Sequence, residues 1–191
     1  MFTWRDLNHN KEISSYYIRN IERILINEIL NKELEKKNIE LDFTFHRNLN
    51  NKYYIKFKNH LKTHKLLKLI NQNDISECIY KSSLVVTDFS SIIFDFIYIR
   101  KPYIIYIPDA EDSNIENIYT IDYSKTIMSF KNEVFKFENT YLDIENVINK
   151  ILFYINNNFN LEPKLEEFYN SFGLKKENNT NKFINYLLNI N

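Results

Sequence analysis

Apolar and polar positions along the chain switch repeatedly between a helical and a strand period. Residues 11–37 place Ile13, Tyr17, Ile21, Ile24, Ile29 and Leu30 near helical spacing, which predicts one long amphipathic helix. IELDFTF (39–45) then alternates in the manner of a strand, and His46 follows it directly. NLNNKYYIKFKNHLK (48–62) reads as a second helix and KLLKLI (65–70) as a short strand. DISECIYKS (74–82) opens on an aspartate in the N-cap position and predicts a short helix. SLVVTD (83–88) is almost continuously apolar, as a strand covered on both faces should be. A helix from Ser91 to about Ile99 must stop before Pro102, and PYIIYIP (102–108) is a second buried strand. A loop from Asp109 to about Glu116, a strand at IYTID (118–122), and helices over 142–156, 162–170 and 179–190 complete the pattern. NNNFNLEP (156–163) is the clearest linker.

Strands alternating with helices predict an α/β fold, a Rossmann-like parallel sheet flanked by helices. The expectation is a single domain over residues 1–191, with 157–191 as a C-terminal helical tail. Ligands of such sheets bind beyond the carboxyl ends of the strands. Three expected strand ends carry polar chemistry: His46, then Asp88 to Ser91, then Asp109 with Glu111. All three should open on one edge of the sheet.

Composition narrows the chemistry. Lysine plus arginine equals aspartate plus glutamate, 25 against 25, which argues against a nucleic-acid binder working through bulk charge. The basic stretch from Lys52 to Lys68 reads either as a membrane-surface or polyanion contact or as a solvated helix face. The single cysteine, Cys78, allows no internal disulfide and no cysteine-based zinc site. His9, His60 and His64 have no metal-ligating spacing, so neither a metal nor a cofactor is called for. The opening residues turn polar at once and no apolar run is long enough to span a bilayer, so a cytoplasmic protein is expected. One glycine, Gly173, excludes both a Walker A loop and a GxGxxG fingerprint. Any phosphate here must be held by side chains and an ordinary helix N-terminus.

The stretch LVVTDFSSIIFDF (84–96) puts Asp88, Ser90 and Ser91 at a strand-to-helix corner. Helix N-termini carry unsatisfied N–H groups and favour anions, and the two hydroxyls add donors. The ordinary alternative is that Ser90 caps the helix and Asp88 closes the turn. Asp95, four residues after Ser91, shares its helix face and sits in an apolar turn. It is therefore expected to be buried and to support the corner through neighbouring polar groups. His46 reads either as a phosphate donor or leaving-group acid, or as an ordinary loop residue.

FTWRD (2–6), FTFHRNL (43–49) and DISECIYKSSLVVTDFSSIIFDFIYIRKPYIIYIPD (74–109) resemble, in order and spacing, the CDP-glycerol glycerophosphotransferase family of teichoic-acid polymerases and primases. The resemblance covers most of residues 1–150. Where that family has a proline before TWR, a proline after the histidine, and TDYSS, this chain has Phe2, Arg47 and Phe89. The resemblance implies the C-terminal, donor-binding half of a GT-B glycosyltransferase-like protein. It implies a CDP-glycerol or other CDP-alditol donor, and an acceptor hydroxyl on a lipid-linked or polysaccharide chain of a surface polymer. By the family's pattern His46, Ser90 and Ser91 would hold the pyrophosphate, with His46 the catalytic candidate. Asp88 and Asp95 would shape the corner, Asp109 and Glu111 would lie near the donor, and Arg5 near the phosphates. The family's base is expected in a separate N-terminal acceptor half, so this chain is expected to bind donor without turning it over. It would work in the cytoplasm, at most peripheral to the inner face of the membrane. Two other readings stay open: a GT-B nucleotide-sugar transferase or epimerase, and a non-catalytic nucleotide-binding module.

Overall fold

The computed structural model describes residues 15–44, 66–70, 75–88, 90, 92–108 and 138–171, with side chains from residue 17 onward. Its centre is the strand β4, Tyr103–Tyr106, whose four side chains are all fully buried. Alternate residues of a strand face opposite ways, and here both faces are covered. Ile104 and Tyr106 enter one apolar cluster, while Tyr103 and Ile105 enter another.

The elements that provide these covers follow in chain order. Helices α1 (Ser15–Leu25) and α2 (Glu28–Lys37) precede strands β1 (Leu41–Phe43) and β2 (Leu67–Leu69). Then come α3 (Ile75–Lys81), β3 (Val85–Thr87), α4 (Ile92–Tyr98) and β4. The strand β5 (Thr140–Tyr141) and helices α5 (Ile144–Asn156) and α6 (Pro163–Ser171) close the described set. Every ladder among the described residues is parallel: β3 and β4 pair with Val86 opposite Ile104, and β4 and β5 with Tyr106 opposite Tyr141. On one side of β4 lie α1, α2 and α5, through Tyr17, Ile21, Leu30, Val147, Ile151 and Tyr154. On the other lie α4 and α6, through Ile93, Phe96, Ile97, Leu165 and Tyr169. Helices on both faces of a parallel sheet give the α/β class read from the pattern.

Several boundaries differ from the sequence reading. The expected helix over 11–37 is two helices. Ile26 and Asn27 interrupt it because Asn27 adopts an extended conformation (φ −65°, ψ 116°) and its side chain accepts the Leu30 N–H as an N-cap. Asn31 reinforces the break by donating to the Leu25 carbonyl, 3.0 Å away. A short side-chain amide that satisfies orphan backbone groups competes well with two residues of continuous helix. The sequence reading has no strand at β5, since two residues directly after Asn139 leave no alternation to detect. The expected helices over 48–62 and 179–190 and the strand at 118–122 lie outside the described residues.

The single sheet expected from the pattern is two sheets among the described residues, one of β1 and β2 and one of β3, β4 and β5. The strand leading to His46 therefore pairs with β2, not with the strand leading to Asp88. An apolar cavity of about 450 Å³ lies between the two, walled by Phe43, Cys78, Val85, Val86 and Ile92 among others. Helix α6 belongs to the region read as a tail, and its Leu165 and Tyr169 are both 1% exposed within the second cluster.

Candidate functional site

Strand β3 runs out into a buried polar corner. Thr87 and Asp88 are fully buried and Ser90 is 5% exposed, and these are the buried polar residues of the described chain. Their burial follows from where β3 sits. Its partner β4 is covered on both faces, and α4, which leaves from the same corner, packs Ile92, Ile93, Phe96 and Ile97 inward.

Hydrogen bonds fix the corner from three directions. The Ser90 N–H donates to the Asp88 carbonyl at 2.8 Å. The Ser90 hydroxyl accepts the Ile92 N–H at 3.4 Å, and the Ser90 carbonyl accepts the Ile93 N–H at 3.3 Å. Ser90 is thus an N-cap, with a long and correspondingly weak side-chain bond. Acting there as acceptor, the hydroxyl keeps its proton for donation. The third direction is α1, where the Tyr17 hydroxyl donates to Asp88 Oδ2 at 3.1 Å in a fully buried contact. One turn along, Asn20 Nδ2 donates to the Pro108 carbonyl at 2.6 Å, just past the end of β4. One face of α1 therefore ties down the carboxyl ends of two adjacent strands.

The structure brings Asp88 and Ser90 together as the sequence implied. Asp95 corrects an expectation: its side chain is exposed, facing away from the apolar contacts of Ile93, Phe96 and Ile97, so it has no burial cost to offset. Sharing a helix face with position 91 leaves a residue on the solvent side when that face points outward. Arg5, His46, Ser91, Asp109 and Glu111 lie outside the described residues. Tyr17 and Asn20 were missed. Tyr17 was read as core, and the signal available was a phenol and an amide three residues apart on an otherwise apolar helix stripe.

A second polar cluster lies at the far side of α5. Lys150 Nζ is 2.5 Å from Glu162 Oε1, the Tyr154 hydroxyl donates to the same oxygen at 2.8 Å, and Asn139 donates to the Tyr154 oxygen at 2.7 Å. Burial pushes the Glu162 carboxyl up, but hydrogen bonds from Lys150 and Tyr154 and the lysine charge outweigh it and hold it below the usual range. Burial, followed by the bond to Glu162, pushes the Tyr154 phenol well above its usual value. These groups pair among themselves, and the cluster reads as a fastening.

Among the described residues no group of three or more His, Cys, Asp or Glu side chains is placed to hold a metal ion. No described helix is long and apolar enough to cross a membrane.

A family described as CDP-Glycerol:Poly(glycerophosphate) glycerophosphotransferase matches residues 1–141, which contain β3, the corner, α4 and β4. The chain is also similar to a minor teichoic acid biosynthesis protein, GgaB, of Bacillus subtilis (strain 168), with 27% identity over 188 residues. That alignment takes in 97% of this chain but 19% of the relative, so the chain spans about a fifth of the protein it matches. No solved structure matches the chain.

Proposed function

As the chain belongs to the CDP-Glycerol:Poly(glycerophosphate) glycerophosphotransferase family, we propose that it supplies the donor-binding part of a transferase that moves a polyol phosphate from a CDP-linked donor to an acceptor hydroxyl. The observation that carries this reading is the buried Asp88–Ser90 corner at the carboxyl end of β3, inside the family match. Ligands at the carboxyl ends of parallel strands are the rule for open α/β sheets, and a chain with one glycine has to hold phosphate by side chains and an ordinary helix N-terminus.

In the proposed reaction an acceptor oxygen attacks the β-phosphorus of CDP-glycerol. The bond from that phosphorus to the bridging oxygen breaks, and CMP departs with the bridging oxygen and its electron pair. The acceptor proton passes to a base that the full-length protein supplies. Negative charge grows on the departing phosphate, and fixed donors aimed at it lower the barrier. Ser90, Ser91 and His46 are the proposed donors, with His46 beside the leaving group and Arg5 toward the phosphates. Asp88 shapes the corner, and Asp109 and Glu111 lie near the donor. The acceptor is proposed to be a surface-polymer chain, lipid-linked or polysaccharide. The chain is proposed to be half of a GT-B arrangement working at the inner membrane face.

Calorimetric titration of the purified chain with CDP-glycerol, and separately with a UDP-sugar, tests the reading. CDP-glycerol is expected to bind in preference, and replacement of both Ser90 and Ser91 by alanine to weaken it by about 1–3 kcal/mol, the scale of hydrogen bonds to charged groups. Unchanged affinity in a folded double variant, or preference for the UDP-sugar, would overturn it.

A further inference from the structure

We propose that Tyr17 is a positioning residue of the donor corner, orienting the Asp88 carboxylate from α1 and acting on bound phosphate through it. The inference rests on the reading of this corner as the donor site. Its basis is one buried contact between residues 71 apart in sequence, the Tyr17 hydroxyl on Asp88 Oδ2 at 3.1 Å, with both residues fully buried.

The tyrosine ring packs in the first apolar cluster beside Ile21, Ile104 and Tyr106. A phenylalanine would fill that space equally well, since the hydroxyl adds nothing to apolar packing. The hydroxyl is instead directed at the one buried carboxylate among the described residues, two positions before the serine that opens α4. Deep in the protein the orientation of such a carboxylate is set by its donors, because no water is free to replace them. Residue 88 is held at its side chain and at its backbone. Tyr17 holds its side chain, and its carbonyl receives the Ser90 N–H. A shift at Asp88 therefore carries to the Ser90 hydroxyl.

Asn20 makes this a positioning device instead of an incidental contact. It lies on the same face of α1, one turn on, and holds the Pro108 carbonyl at the end of the neighbouring strand. With α1 pinned to β4 at that point, the Tyr17 hydroxyl has a fixed origin from which to hold Asp88. The two strand ends that would bracket a donor are then set by one rigid helix, as precise sites require.

The test compares Tyr17→Phe with Ile21→Val, a change one turn along the same helix at an equally buried core position that leaves the hydroxyl in place. CDP-glycerol affinity is measured by titration, and amide hydrogen exchange is followed at Ser90, Ile92, Ile93 and throughout α5. Tyr17→Phe is expected to weaken binding about three- to tenfold and to speed exchange at Ser90, Ile92 and Ile93 while α5 stays protected. Ile21→Val is expected to leave affinity and corner exchange unchanged. In an Asp88→Ala background the loss of the Tyr17 hydroxyl should have no further effect on affinity. Equal losses from Tyr17→Phe and Ile21→Val would reduce Tyr17 to a core residue and overturn the proposal, as would additive losses in the double variant. Should Asp88→Ala not fold, the two single variants decide. A wild-type chain that binds no CDP-glycerol would refute the donor reading instead. The exchange data would then judge the positioning claim alone: loosening at Ser90 supports it, and an unchanged corner overturns it.

Discussion

Tyr103 shows how much a single atom can matter in this core. Its ring lies against Tyr169, with centroids 6.0 Å apart and planes 22° from parallel, and its hydroxyl is buried with no hydrogen-bond partner among the described residues. Burial also pushes this phenol well above its usual titration range, with the Glu138 charge adding to the effect. An orphaned hydroxyl costs desolvation without a compensating bond. Tyr103→Phe is therefore expected to stabilise the fold by about 1 kcal/mol, measured as a rise in the denaturant midpoint at constant slope; a fall would mean that the hydroxyl has a role. Backbone conformation carries costs of its own. Asn38, Arg100, Asn139, Asn158 and Phe159 all have positive φ, in a chain with a single glycine. Three of the five are asparagine, the residue that tolerates this region best after glycine. The Tyr17–Asp88 bond was illegible in the sequence for a related reason. Periodicity registers a tyrosine as apolar and is silent about its hydroxyl, and no local pattern links residues 71 apart.

At the scale of elements, legibility followed the strength of the local signal. The segment from β3 through α4 to β4 was readable because its apolar runs are nearly unbroken and Pro102 marks the helix exit. The break between α1 and α2 was not, because Asn27 acts through a cap that an unbroken helical period conceals. Between α5 and α6 the asparagine-rich linker hides a fastening in which Glu162 gathers Lys150 and Tyr154, while Asn139 joins Tyr154 to the Tyr103 carbonyl. The Glu162 carboxyl is held below its usual value of 4.5, so it binds protons more weakly folded than unfolded. Stability from this group is therefore present above about pH 4.5 and is lost as the pH falls through the lower folded value. Thermal melts between pH 6 and pH 3 should show a declining midpoint, and Glu162→Gln should flatten part of that decline while lowering the midpoint at pH 6. Identical slopes in the two proteins would reject the assignment. The effect is expected to be modest, since the side chain keeps 27% of its exposure and solvent screens the pair.

Over the whole molecule, the layering was legible and the pairing of strands was not. A continuous apolar run identifies a strand covered on both faces, and β4 is one. Which strands lie side by side depends on contacts distant in sequence, and there the expected single sheet is two among the described residues. The second cover, α6, is fastened at several points. Tyr169 donates to the Lys101 carbonyl at 2.5 Å, while Arg100 reaches Glu166 at 3.2 Å and Asn170 at 3.0 Å. A chain cut after Asn160 would lose Leu165 and Tyr169 from the cluster that holds Ile93, Phe96, Ile97 and Ile105. It is expected to bind an apolar dye and to sediment as aggregates, and a monomeric, dye-silent truncation would show that α6 is dispensable. The same arrangement has a consequence during synthesis. Arg100 leaves the ribosome 66 residues ahead of Glu166, a delay on the order of 3–13 s at ordinary elongation rates. Through most of that interval α4 and β4 are made but still lack the cover that Leu165 and Tyr169 later give them, so this half of the core closes only when the C-terminal helix arrives.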